Sequence, residues 1–167
     1  MKTLADRYRR WYEYEKGCNA LALEMLASVP VDRREDPRFA RAVGRMAHLV
    51  AARLRWLHRL GRWPDLPPIF PQDVGLDELA GQVAATEAAW TEFLADLDDE
   101  SLSRPIEWAF PDGKRYRWDV EGLLTQMFIH APYHRGQIAQ SVQELGGRAV
   151  DTDYIFWCKL VPIETAI

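Results

Sequence analysis

The chain is poor in the residues that do most chemistry near neutral pH: its 167 residues include two cysteines and four histidines. Cys18 and Cys158 lie far apart with no metal-type spacing, which excludes a disulfide framework and a cysteine-based zinc site. Both are expected as buried thiols in a reducing compartment. An excess of positive charge is also missing. With 21 basic against 25 acidic side chains the formal net charge is −4, so the electrostatic footprint of a general DNA or RNA binder is absent and no nucleic-acid partner is expected. Long apolar runs are lacking as well. The longest uncharged stretch, Gly122 to His134, falls short of the roughly 20 residues that cross a bilayer. Charged Lys2, Asp6 and Arg7 stand where a signal peptide needs an apolar segment. No membrane partner and a cytoplasmic location are therefore expected. No internal repeat or composition break divides the chain, and one domain over residues 1–167 is expected.

What is present is core-forming material: 48% of the residues are apolar, and there are seven Trp, six Tyr and six Phe. Most of it recurs at helical spacing. Leu4, Tyr8, Trp11, Glu15, Cys18, Ala22, Met25 and Val29 follow steps of four and three along one stripe, which predicts a first helix ending before Pro30. Glu15 alone breaks this seam; it is either a carboxylate supporting a nearby site or, the commoner outcome, a residue at the stripe's edge reaching solvent. Asp36-Pro37, an N-cap followed by proline at the first helical position, opens a second helix that runs to about Gly61. Leu76, Leu79, Val83, Thr86, Trp90, Phe93 and Leu97 mark a third. A fourth runs from about Asp119 to Leu145 and stops at Gly146-Gly147.

Four such helices predict an all-α fold, a four-helix bundle. Residues 61–74 carry Pro64, Pro67, Pro68 and Pro71, and a proline-rich segment of this length spans roughly 40 Å, against about 33 Å for a 22-residue helix. The crossover can return along the bundle, so the expected order is up-down-down-up. Between helices three and four, residues 105–118 alternate around Pro111-Asp112-Gly113, the pattern of a small hairpin placed like a lid at one end.

The histidines now acquire positions. His130 and His134, four residues apart, project from one face of the fourth helix together with Leu123, Met127 and Ile138. Inward imidazoles need partners. Two readings stay open on spacing alone: a pair of metal ligands, or two core histidines hydrogen-bonded to neighbours, the commoner outcome for a bare His-x-x-x-His. Pro132 between them removes a helical hydrogen bond, an irregularity often found at functional sites. His48 on helix two could complete a three-nitrogen site, although a 100° wheel sets it off the Met46, Val50, Leu57 arc, beside Gly44, Ala51 and Ala52. His58, at the helix-two C-terminus where the dipole favours a surface histidine, is left outside the site.

The run Gln126-Met127-Phe128-Ile129-His130-Ala131-Pro132-Tyr133-His134-Arg135-Gly136-Gln137-Ile138 resembles the His-x-x-x-His-Arg-Gly-Gln signature of the DinB/YfiT-like superfamily. His48-Leu49-Val50 followed by Trp56-Leu57 and Arg59-Leu60 is similar to its helix-two motif. Tyr14 and Asn19 ahead of Leu23, and Asp151-Thr152-Asp153-Tyr154 after Leu145-Gly146, resemble its opening and closing segments. The resemblance spans about residues 4–160, and Pro132 departs from it. It implies a divalent metal held by His48, His130 and His134, and a homodimer. Members include transferases and isomerases that use a low-molecular-weight thiol such as bacillithiol or mycothiol. Imidazole ligands suit zinc or nickel, with iron and copper also possible for such a donor set. An activated water would support hydrolysis of a small-molecule substrate, and an activated thiol would support S-transfer. A non-catalytic dimeric bundle holding a structural metal, or none, is the alternative. Tyr133, Arg135 and Gln137 flank the histidines and at helical spacing point away from their shared face, so they are assigned supporting roles, with Arg135 in a salt bridge.

Overall fold

A computed structural model describes residues 2–110 and 112–160, and each of the four periodic segments in it is a helix. They are α1 (Leu4–Ala27), α2 (Pro37–Arg59), α3 (Leu76–Ala95) and α5 (Val120–Glu144), with the one-turn helices α4 (Asp99–Leu102) and α6 (Tyr154–Trp157) and a 3-10 turn at Val31–Arg33 filling connections. Local chemistry sets the boundaries. Thr3 and Asp6 form a reciprocal capping box at the start of α1, and the Asp36 and Asp119 side chains accept from the second- and third-residue amides of α2 and α5. Gly61 and Gly146 adopt φ of 72° and 78°. The Arg62 and Gly147 amides then reach back to the Leu57 and Val142 carbonyls, so both helices end in the Schellman geometry that glycine makes easy.

Strands β1 (Pro105–Ala109) and β2 (Arg115–Asp119) pair antiparallel, with Trp108 opposite Tyr116 and Pro105 opposite Asp119. The fold is therefore mostly helical with one small two-stranded sheet, at the place where alternation predicts a hairpin. Of the three turn residues expected there, Pro111 lies outside the described residues, and Gly113 takes φ 81° with its amide on the Phe110 carbonyl. Trp108 and Trp118 set the hairpin edge-on against Trp56 of α2. No helix among the described residues is long and apolar enough to cross a membrane.

Each long helix contributes to two apolar clusters. One gathers Met25, Met46, Val83 and Ile138, the other Tyr12, Leu57, Trp90 and Leu123. Between them lies a polar layer. Glu15, expected to reach solvent, is 0% exposed. Its carboxylate accepts from Arg53 Nη2 and, in a two-pronged pair, from Arg135 Nη1 and Nη2, both at 2.9 Å. Arg53 also donates to Asn19 Oδ1 at 3.2 Å, and Asn19 Nδ2 donates to Glu87 at 2.9 Å. The correction has a physical cause: α2 and α5 carry the buried Arg53 and Arg135 at the same level, and an anion is needed to satisfy them there. Arg135 thus makes the salt bridge assigned to it. A smaller correction concerns the thiols, since Cys18 is buried and Cys158 only half-buried; both are free.

Contacts between helices fix relative placement. Tyr8 meets Thr125 at 3.1 Å and Glu15 meets Arg135 farther along both helices, while Arg9 near the start of α1 donates to the Leu94 and Leu97 carbonyls at the end of α3. Arg45 of α2 donates to Ser141 near the end of α5. The proline-rich crossover lies on α2, where Arg55 donates to the Pro67 carbonyl at 2.6 Å.

Removing the one anion of the buried layer exposes the two arginines' desolvation cost. Glu15→Gln keeps the side-chain volume and is expected to lower the free energy of unfolding by about 3–5 kcal/mol, read as a lower urea midpoint at unchanged slope. A loss under about 1 kcal/mol, the scale of a surface pair, contradicts this role.

Candidate metal centre

The site assembles where α2, α5 and the crossover meet. One turn of helix separates His130 from His134, so both imidazoles face α2. His48, one of the buried residues of α2, projects between them. His130 Nε2 stands 3.0 Å from His134 Nε2 and 3.3 Å from His48 Nε2. The off-arc wheel position of His48 is explained by what it faces: the small residues Gly44 and Ala52 each border a cleft, and the crossover closes over the ring. Phe70 stacks on it at 4.6 Å, and its Nδ1 donates to the Ile69 carbonyl at 2.7 Å.

These outer contacts choose the tautomers. A carbonyl only accepts, so the His48 proton sits on Nδ1 and the Nε2 lone pair points into the cluster. His134 Nδ1 donates to Gln137 Oε1 at 3.1 Å, which orients its Nε2 the same way. Gln137 therefore turns toward the site and not away from it as expected, because it is three residues after His134 and seven after His130 and so lies within about 60° of both around the helix, on their own face. Tyr133 is 66% exposed and meets His134 ring to ring at 5.1 Å. Arg135 points to the opposite side, into the buried layer, as expected. His58 is half-buried with Nδ1 on the Trp63 carbonyl at 3.1 Å, outside the cluster. Pro132 is on the exposed side of α5, and the helix continues through it.

Three ring nitrogens thus converge, those of His48 and His134 with lone pairs inward, and among them His130 Nε2 can supply at most one proton. At least one close nitrogen pair is then acceptor to acceptor, an arrangement that a cation resolves. Imidazoles on zinc at about 2.0–2.1 Å and a tetrahedral angle sit about 3.3 Å apart, matching the observed spacing. The three histidines are a group able to hold a metal ion, and no carboxylate or thiol joins them among the described residues. Their protonation suits the task. Burial first, then the neighbouring His134 and His48, push His130 from 6.5 down to about 4. Burial also lowers His134, helped by His48 and Arg45 and opposed by the Gln137 hydrogen bond. Metal binding needs neutral imidazoles, and the lowering at His130 and His134 favours that form.

Two clefts open onto the cluster. One, of about 580 Å³, reaches His48 and His134 and is bordered by Arg41, Arg45 and Phe70. The other, of about 380 Å³, reaches His48 and His130 and is bordered by Trp56, Arg59 and Phe110. Residues missed by sequence reasoning are Ile69, Phe70 and Arg53. Arg53 had a signal, since it interrupts the Met46, Val50, Leu57 stripe as Glu15 interrupts that of α1. The crossover's position over His48 left no such mark.

Compared with known proteins, the chain matches the model of the DinB family over residues 1–161. No curated protein and no solved structure matches it.

The lowered histidines carry a sign for stability. Between pH 6.5 and about 4 the unfolded chain takes up a proton at His130 that the folded chain refuses, so the metal-free protein loses stability as pH falls through that window. The urea midpoint is expected to drop from about pH 7 to about pH 5, and to drop less in His130→Gln. The same pH dependence in both proteins contradicts the buried neutral imidazole.

Proposed function

The chain belongs to the DinB family, a metal-binding superfamily, and from that premise we propose a divalent-metal-dependent enzyme acting on a small molecule. The observation that carries this reading is the inward convergence of three Nε2 atoms at a point reached by two clefts. A structural metal site is closed by a fourth protein ligand; here the three histidines are the whole donor group among the described residues. His48, His130 and His134 would hold the ion, with zinc or nickel the metals that best suit three imidazoles. When bound, such an ion supplies Lewis acidity, lowering the pKa of water or of a thiol that reaches it.

The chain's own residues do the rest. Ile69 and Gln137 hold two rings in the tautomer that presents Nε2, and Phe70 fixes the plane of His48. The crossover and the hairpin wall the clefts and limit water. Thiol-dependent S-transfer is the favoured reaction and hydrolysis the second, with a low-molecular-weight thiol as co-substrate in the first. The reading places these residues in one domain with up-down-down-up order, which the Glu15 to Arg135, Arg9 to Leu94 and Arg45 to Ser141 pairings support. It also includes a homodimer in the cytoplasm, for which exposed Ile129 and Tyr133 on α5 offer apolar surface.

Metal analysis of untagged protein purified without chelators tests the proposal. One equivalent of zinc or nickel is expected, with loss of nearly all of it in His130→Ala. Equally low metal in both proteins after incubation with zinc and nickel overturns the reading. Gln137→Ala, which frees the His134 ring, is expected to weaken metal affinity about 10- to 100-fold, measured by competition with a chromophoric chelator. Unchanged affinity removes Gln137 from the site.

A further inference from the structure

The smaller cleft contains a cation with nothing to neutralise it. Arg59 is half-buried, and no carboxylate lies within ion-pair distance of it among the described residues. Its guanidinium stacks on Trp56 at 4.4 Å and Trp108 at 5.0 Å, with Phe110 at 6.0 Å. Aromatic faces answer the charge but accept no full hydrogen bond. The Arg59 N–H donors lie in the guanidinium plane, and none makes a hydrogen bond to a described residue.

Arg55 stands one turn away on the same side of α2 and also borders the cleft, with one nitrogen on the Pro67 carbonyl. Like charges four residues apart on a helix repel. Burial, and then Arg55, hold Arg59 down at about 10, so it remains a cation at neutral pH. No Asp or Glu borders this cleft among the described residues. Pinning the hairpin accounts for the ring contacts of Arg59, but not for its unbonded N–H donors or for a second guanidinium beside it.

His48, Ala52, Arg55 and Arg59 form one stripe along α2 that leads from the candidate metal centre to these two cations. Helix rise puts the Cα atoms of Arg55 and Arg59 roughly 10 and 16 Å beyond His48, and helical side chains slant back toward the N-terminus, hence toward His48. We propose that this cleft binds a small amphipathic acid: its anionic group lies between Arg55 and Arg59, its apolar body against Trp56 and Phe110, and its other end at His48 and His130. The acid is the substrate class of the enzyme proposed above. Which end reacts rests on that reading; the binding itself does not.

Calorimetric titration of metal-free protein with naphthalene-2-sulfonate and its neutral counterpart naphthalene-2-sulfonamide tests this. One sulfonate per chain is expected, about tenfold tighter than the sulfonamide and weakened by salt. Arg59→Gln and Arg55→Gln are each expected to weaken the sulfonate by about five- to tenfold while shifting the sulfonamide less than about twofold. Arg55→Gln leaves the Arg59 stack intact, which separates lost recognition from a displaced hairpin. In the wild-type protein the Arg59 Nε–H resonance is expected to shift on titration. Equal affinity for the two probes, unchanged sulfonate binding in both variants, or a titration that leaves the Arg59 resonance still overturns the proposal. Because metal is absent throughout, sulfonate binding by a protein that takes up no zinc or nickel would sink the metal reading and leave this one standing.

Discussion

A single buried carboxylate sets the geometry of this protein. Glu15 is the anion shared by Arg53 of α2 and Arg135 of α5; a one-turn shift of α1 would leave both guanidinium groups buried and unpaired, and a shift of α2 or α5 would leave one. Such a triad adds little net stability against an apolar alternative, because desolvation offsets most of the Coulomb gain. Its effect is on register. Arg53 lies five residues after His48, and Arg135 directly follows His134, so the pairing that aligns the charges also sets His48 opposite His130 and His134.

Electrostatics around the cluster run in one direction. Arg41 and Arg45 outnumber Asp73 around one cleft, Arg53, Arg55 and Arg59 border the other with no carboxylate among its described lining residues, and Glu15 points away into the core. Cationic surroundings and burial both favour neutral imidazole, the form with a lone pair to give. The same surroundings disfavour a bare cation in the cluster, and bound anions would restore the balance. A centre of three neutral ligands flanked by guanidinium groups is suited to an ion that arrives with, or acts upon, negatively charged molecules.

Much of the fold could be read in the residues because the determinants are local. Apolar steps of three and four, Asp36-Pro37, Asp119 and Gly146-Gly147 act within a turn or two, and the structure places the helix ends within a few residues of them. His130 and His134 were legible for the same reason. Glu15 was misread because the wheel records polarity and burial together, and a charge on an apolar seam means exposure or pairing depending on helices far away in sequence. Matching interruptions at Glu15, Arg53 and Arg135, one in each seam, were the available signal. His48 came from the resemblance of its segment to a family motif, since its position depends on a crossover whose path over α2 has no periodic signature. Gln137 was placed on the wrong side although its steps of three from His134 and seven from His130 set it on their face, so this contact too was legible in the spacing.

X-ray absorption at the zinc or nickel edge of the loaded protein is the most direct test of the central claim that His48, His130 and His134 share one ion. Three imidazole nitrogens at about 2.0–2.1 Å, completed by light oxygen or nitrogen scatterers and reduced to two imidazoles in His48→Ala, is the predicted result. A sulfur neighbour at about 2.3 Å, or an imidazole count that His48→Ala does not change, would contradict it.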